Sequence, residues 1–227
     1  EGIVCFEAEH YHANLAQGSH TWDVVTSPSG ASGDEALQAL PNSGINNNTG
    51  YTTNSPRLDF DVTFVHTGIH YVWVRGYGLS GADDSIHAGL DNAAIDTADR
   101  ISTFSASYGW SKNTMDGVVA TIDIPSTGLH TVNLWMREDG FIVDKVLLTT
   151  DSGYTPSGTG PAESPRANSD PVATDDSGST NEDTAVTIDV LANDSDPDTG
   201  DTLSVDSVTQ GSNGTVTNLS LIHISEP

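Results

Sequence analysis

Residues 58–65 read LDFDVTFV and residues 70–75 read HYVWVR, with Thr67 and Gly68 between them. In the first stretch Leu58, Phe60, Val62 and Phe64 alternate with Asp59, Asp61 and Thr63. A period of two sends the two sets to opposite faces of an extended chain, whereas an amphipathic helix repeats every 3.6 residues or so. The second stretch is β-branched and aromatic, a composition that fits a pleated, half-buried surface. Two strands separated by a glycine-containing break are therefore expected here.

The same pattern continues outward. Residues 85–90, 118–124, 130–135 and 141–149 (FIVDKVLLT) read as strands. Turn residues punctuate them at 79–84 (LSGADD), 125–128 (PSTG) and 138–140 (EDG). Helical periodicity is nearly absent; only residues 34–40 (DEALQAL) suggest a turn or two of helix. Residues 43–54 (SGINNNTGYTTN) form a polar loop expected to cover one end. Short strands at this spacing predict an all-β sandwich.

Composition shifts after residue 150. Residues 151–170 (DSGYTPSGTGPAESPRANSD) are rich in Gly, Pro and Ser without an apolar period, which reads as a linker. Beyond it, residues 185–191 (AVTIDVL) and 202–208 read as strands around an acidic turn at 193–201. That unit stops before it can close a core. Residues 219–227 (LSLIHISEP) resemble a sequencing adapter translated in frame and are set aside from the fold. The expected division is a sandwich over 1–152, a flexible linker over 153–171 and an incomplete β unit over 172–218.

The chain holds 32 acidic and 7 basic residues, a formal net charge of −25. Residues 169–227 carry 12 of the acids and no Lys or Arg. Such a chain is repelled by nucleic acid and by anionic membranes, and suits a salty, calcium-containing exterior where screening limits self-repulsion. One cysteine, Cys5, excludes an intrachain disulfide. No run of about 18 apolar residues is present to span a membrane as a helix. The first residue is Glu, so the chain reads as a piece of a longer protein with its targeting signal elsewhere.

Several side chains could carry chemistry. Glu7 and Glu9 alternate with apolar neighbours, so they share one strand face about 7 Å apart. Three readings stay open: a metal site, a catalytic pair, or acids facing water. His10 and His12 sit two apart, with His20 following, but no Cys or third His stands at metal-binding spacing, and they read as surface or satisfied imidazoles. Trp73 and Trp135 sit in apolar strands and read as core. Trp110 lies in a polar, glycine-containing segment, residues 107–113 (SYGWSKN), where an exposed aromatic invites a ligand. Trp22, in residues 19–23 (SHTWD), is a second candidate. Arg75 and Asp84 would form either a loop-holding ion pair or ligand contacts. No Gly-x-Ser-x-Gly, His-Glu-x-x-His, P-loop or dinucleotide fingerprint occurs.

The opening Phe6, Glu7, Ala8, Glu9, with residues 71–75 (YVWVR), 83–91 (DDSIHAGLD), 128–135 (GLHTVNLW) and 137–148 (REDGFIVDKVLL), carries a family resemblance. The first unit resembles the calcium-containing β-sandwich carbohydrate-binding modules of families 6 and 35. It is more similar still to the sandwich domain at the C-terminus of some family 115 glycoside hydrolases. The resemblance covers about residues 3–150. It implies a galactose-binding-like jelly-roll β-sandwich and a structural Ca2+ held by Glu7, Glu9 and Asp144. A divalent ion of that kind takes roughly six to eight oxygen ligands. The resemblance also implies a sugar cleft with Trp110 as stacking platform. Arg137, Glu138 and Asp139 would either supply polar contacts to the sugar or form an ordinary tight turn with an internal ion pair; Arg75, Tyr77 and Asp84 offer a second set of contacts. The second unit resembles bacterial Ig-like or cadherin-like repeats through residues 171–180, 181–193 and 194–203.

Together these readings predict non-catalytic binding of a polysaccharide or oligosaccharide. The module would be tethered to catalytic or adhesin domains of the same secreted or cell-surface bacterial protein. Two other expectations compete: a spacer or adhesin segment without sugar binding, and an enzyme fragment using Glu7 and Glu9 or Glu138 and Asp139.

Overall fold

In the computed structural model, which describes residues 2–165, 171–196 and 202–219, all of the stretch at 58–65 but Val65 lies within β5 (Arg57–Phe64), and that at 70–75 lies within β6 (Gly68–Tyr77). Leu58, Phe60, Val62 and Phe64 all point into the core. The chain then crosses between layers, because β5 and β6 belong to different sheets.

One sheet has seven strands, built around β6 and β12 (Ile142–Thr149). β10 (Thr121–Ile124) and β9 (Gly109–Ser111) pair with β6. β1 (Ile3–Glu7) and β4 (Ala36–Leu40) pair with β12, and β3 (Thr21–Val25) pairs with β4. The other sheet has five strands in the order β2 (Ala13–Leu15), β5, β11 (Gly128–Met136), β7 (Ile86–Leu90), β8 (Ala93–Ala94). Every pairing between these strands is antiparallel. The product is a jelly-roll β-sandwich with Val72, Val74, Val132, Leu134, Val146 and Leu148 among its core.

Residues 34–40 depart from the helical expectation. A 3-10 turn at Ser32–Asp34 leads directly into β4. Leu37 and Ala39 face the core while hydrogen bonding to β3 and β12 supplies what a short helix would lack. Tertiary pairing overrides a weak local preference. The only α-helical turn among the described residues is α1 (Tyr51–Asn54).

The sandwich also continues past residue 152. Ser164 N donates to Cys5 O (2.7 Å), Cys5 N donates to Ser164 Oγ (3.0 Å), and Glu7 N donates to Glu163 Oε1 (3.3 Å). This return strap covers the free edge of β1. Tyr154 and Trp110 pack on Cys5, Trp73 and Leu147 on the outer face of the seven-stranded sheet. Every residue of β12 is consequently buried, as a strand with apolar residues on both faces requires. The expected flexible linker is thus corrected over residues 153–164, and residues 166–170 lie outside the described set. The chain divides into two units, Glu1–Ala167 and Asn168–Pro227.

Among the described residues of the second unit there is one bridge, between Val172 and Ser195. The strands expected at 185–191 and 202–208 are not formed. Val186, Ile188 and Val190 stay exposed, because an isolated strand has no neighbour to satisfy its backbone or cover its side chains. Apart from Leu219, the segment read as an adapter lies outside the described residues, as do residues 197–201 of the acidic turn.

Candidate functional site

β1 ends at Glu7, and the chain turns there into a 3-10 turn, Ala8–His10, that carries Glu9. The two glutamates therefore do not share a strand face, contrary to the expectation from alternation. All the same, Ser32 bridges Glu7 and Asp144, and the charges of both act on Glu9. Asp144 sits at a register irregularity in β12 and is fully buried. Its Oδ1 accepts from Ser32 N (2.7 Å) and its Oδ2 from Arg75 Nη1 (2.5 Å). Glu7 Oε1 accepts from Ser32 Oγ (2.8 Å) and Lys145 Nζ (2.6 Å). Burial raises the Asp144 carboxyl above its usual range against the pull of Arg75. Burial, reinforced by the negative charges of Glu7, Asp144 and Glu35, pushes Glu9 up to about 8.

Two oxygens of this corner, Glu7 Oε2 and Glu9 Oε2, are buried without a hydrogen-bond partner. Unsatisfied carboxylate oxygens are the donor type a hard divalent cation takes. The donor chemistry at Glu7, Glu9 and Asp144 therefore fits calcium. In the geometry described, however, Lys145 and Arg75 act as the counter-charges. Among the described residues no group of three or more His, Cys, Asp and Glu side chains is gathered to hold a metal ion.

At the end of β11 the chain runs through Arg137, Glu138 and Asp139 into β12. All three are buried. Asp139 Oδ1 accepts from the backbone N–H of Gly44 (3.1 Å) and Ile45 (2.9 Å). Its Oδ2 accepts from Ser43 N (2.5 Å) and Ser43 Oγ (2.8 Å), and lies 3.2 Å from His20 Nε2. Burial alone would raise its pKa, but these bonds outweigh it and hold the carboxyl below its usual range. Glu138 is engaged on both oxygens as well: Asn46 Nδ2 and Arg137 on one, Asp84 N and Ser85 Oγ on the other. Arg137 further reaches Ser85 Oγ and Asn48 Oδ1.

These groups bolt the polar loop at 42–48 to the sandwich. The assignment of Arg137, Glu138 and Asp139 to sugar contacts is corrected: their donors and acceptors are consumed internally. The same saturation leaves the Glu138 and Asp139 pair no open oxygen for acid–base chemistry.

Arg75 is also corrected. It is buried and pairs with Asp144, not with Asp84, and it donates further to Gly30 O and Gly158 O. Trp22 is core, 2% exposed, with Nε1 on Pro56 O. Trp110 lies in β9, opposite Arg75, not in a loop. It is half-buried; its Nε1 donates to Gly158 O (3.0 Å), and Gly160 packs against its ring, where a Cβ would come within 2.6 Å. The return strap thus occupies the place where a sugar would stack on Trp110.

Two nominated residues remain at the surface. Tyr77 closes β6 and Asp84 follows it in space, against Gly78. Both are half-buried. Tyr77 meets Tyr108 edge-on, with ring centroids 5.4 Å apart. Sequence reasoning passed over Tyr108, though it adjoins Gly109 and Trp110 in the segment already singled out. Its ring faces the Arg75 guanidinium at 5.2 Å. Its hydroxyl is buried without a partner, and burial, with the charge of Asp144 next, pushes its pKa up to about 12. Burial and the neighbouring Glu138 carboxylate raise the Asp84 pKa. The histidines go to separate acids: His10 to Glu163, His12 to Asp61, His20 to Asp139.

Comparison with known proteins places these features in context. Over 193 residues the chain is 27% identical to a Formosa agariphila protein described as "Uncharacterized protein P23"; the match covers 71% of this chain and 47% of that protein. The chain thus spans about half the length of that relative. A family 35 carbohydrate-binding module from Paenibacillus barcinonensis superposes with TM-score 0.46 at 14% identity, covering 65% of this chain and 99% of that one. The Podospora anserina GH26-CBM35 mannanase gives 0.45 at 20% identity, covering 68% of this chain and 29% of the enzyme. Residues 168–224 match the bacterial Ig domain. Residues 1–163 match the glycosyl hydrolase family 115 C-terminal domain, a span that takes in β1 through β12 and most of the return strap. The chain therefore belongs to the glycosyl hydrolase family 115 C-terminal domain family.

Proposed function

We propose that the first unit is a non-catalytic carbohydrate-binding module of an extracellular, multidomain protein. The observation that carries this reading is the pair Tyr77 and Tyr108: two half-buried aromatic rings that meet edge-on, with the Arg75 guanidinium against the second. Such rings cover the C–H face of a sugar, and an exposed polar group beside them can read its hydroxyls. Membership of a domain family appended to glycoside hydrolases supports it. Non-catalytic action is supported by the saturation of Glu138 and Asp139. A weak module gains from tethering, which raises the effective concentration of its companion domains on a polymer. In the same reading Glu7, Glu9 and Asp144 hold a structural Ca2+ that stabilises the start and end of the sandwich.

Affinity electrophoresis of the full chain in polysaccharide gels tests the function. Retardation by at least one glycan is expected, reduced tenfold or more in Tyr77→Ala, with unchanged circular dichroism. Tyr77→Phe separates the ring from its hydroxyl. Undiminished retardation in Tyr77→Ala overturns the placement, and release of reducing sugar would make the unit an enzyme. The coverage of Trp110 by the strap favours a second reading, a spacer without sugar binding; absence of retardation in every gel would support it.

A further inference from the structure

The basic residues say which carbohydrate such a module would take. The chain has 7, and Arg166 lies outside the described residues. Of the six described, five are spent on carboxylates. Arg57 pairs with Asp59 at 2.7 Å, Arg75 with Asp144 at 2.5 Å and Lys145 with Glu7 at 2.6 Å. Arg100 is held by Asp99 and Asp116, and Arg137 by Glu138. The sixth, Lys112, donates to Ser152 O (3.3 Å) and lies over the Trp73 and Tyr71 rings at 4.6 and 5.4 Å.

An anionic sugar needs an available cation, ideally the guanidinium fork that grips a carboxylate or sulfate bidentately. Freeing any of the buried pairs would strand an uncompensated carboxylate in the interior, which is strongly unfavourable. The cation that faces the Tyr77 and Tyr108 pair, Arg75, is the one spent on Asp144. Asp84 packs on Gly78, and Glu138 lies beneath through Asp84 N. Carboxylates accept O–H donors from sugar hydroxyls, but a uronate or sulfate ester offers them no proton and adds like charge. Acids outnumber basic residues across the chain as a whole, 32 to 7, so the approach of a polyanion is opposed at range as well as at contact.

Resting on the proposed carbohydrate-binding function, we propose that the ligand is an uncharged glycan, and that the module discriminates against its uronate- or sulfate-bearing counterparts. The neutral polymer brings hydroxyl donors for Asp84 and C–H faces for Tyr77 and Tyr108, and asks for no cation.

The test uses matched backbones in affinity electrophoresis of the full chain: methyl-esterified against de-esterified homogalacturonan, unsubstituted against glucuronate-substituted xylan, and a galactan against its sulfated form. Each pair is run at low and high salt, with calcium and with chelator. For the backbone that binds, the expected result is at least tenfold weaker retention of the anionic form at low salt, with the gap narrowing as salt screens the repulsion. Equal or stronger retention of an anionic form at low salt, in either calcium condition, overturns the inference while leaving carbohydrate binding intact. If Arg166→Gln abolishes that retention, the free cation is identified and the inference still falls. Retention of no polymer of either kind removes the carbohydrate reading and this inference with it.

Discussion

His87 shows how surroundings decide what a histidine can do. It is fully buried, stacks on Tyr51 at 3.7 Å, accepts from Arg100 N at Nδ1 (3.1 Å) and donates from Nε2 to Asn47 O (2.9 Å). One nitrogen must accept and the other donate, so the ring is neutral. Burial, with the nearby Arg137 and Arg100 charges, drops its pKa from 6.5 to about 4. Between those values the unfolded chain binds a proton that the folded one refuses, so stability falls as pH drops through that window and is regained above it. The full effect is on the order of a few kcal/mol, at about 1.4 per pKa unit. Melting curves of the wild type and His87→Gln across this range should therefore diverge in slope, with the variant flatter; parallel slopes would contradict the assignment. The same residue-scale logic decides between the two roles open to Arg137, Glu138 and Asp139 in favour of an internally paired turn. Their position at one end was legible in the sequence, but whether a carboxylate faces a ligand or its own loop depends on where residues 42–48 fold, and no local pattern encodes that.

Among elements, the return strap changes the account most. Its composition, rich in Gly, Pro and Ser, reads as a linker because it lacks an apolar period. It is held instead by single contacts that periodicity cannot register: Ser164 on Cys5, Gly158 O under Arg75 and Trp110, and Tyr154 on the Trp73 cluster. Gly160 has a φ of +80° and lies against the Trp110 ring, so its glycine is required twice over. A chain ended after residue 152 should melt on the order of 5–10 °C below one ended after residue 165, and should bind a hydrophobic dye through uncovered Leu147 and Trp73. Equal melting temperatures would show that the strap adds nothing. The β4 segment teaches a parallel lesson. DEALQAL carries helix-forming residues, yet β3 and β12 offer it a ladder on both sides, and cooperative pairing outweighs a propensity worth tenths of a kcal/mol per residue.

For the whole molecule, the proposed calcium and the charge balance belong together. With the Glu7, Glu9 and Asp144 corner short of positive charge, saturating Ca2+ should raise the melting temperature by roughly 5–10 °C, the shift expected from about a hundredfold excess over Kd. Glu7→Gln with Glu9→Gln should abolish that response; a chelator-insensitive transition in the wild type would remove calcium from the account. The sequence by itself determined the β-sandwich, its principal strands and the split into two units, because period two, turn residues and composition are local properties of the chain. It also picked out the Glu7, Glu9 and Asp144 corner, through a family resemblance. Only the tertiary structure decided which charges are spent inside, that Trp22 is core and Trp110 roofed, and that Tyr77 and Tyr108 meet at the surface. Those outcomes depend on pairings between residues far apart in the chain, where burial and competition among partners fix what each side chain can still offer to a ligand.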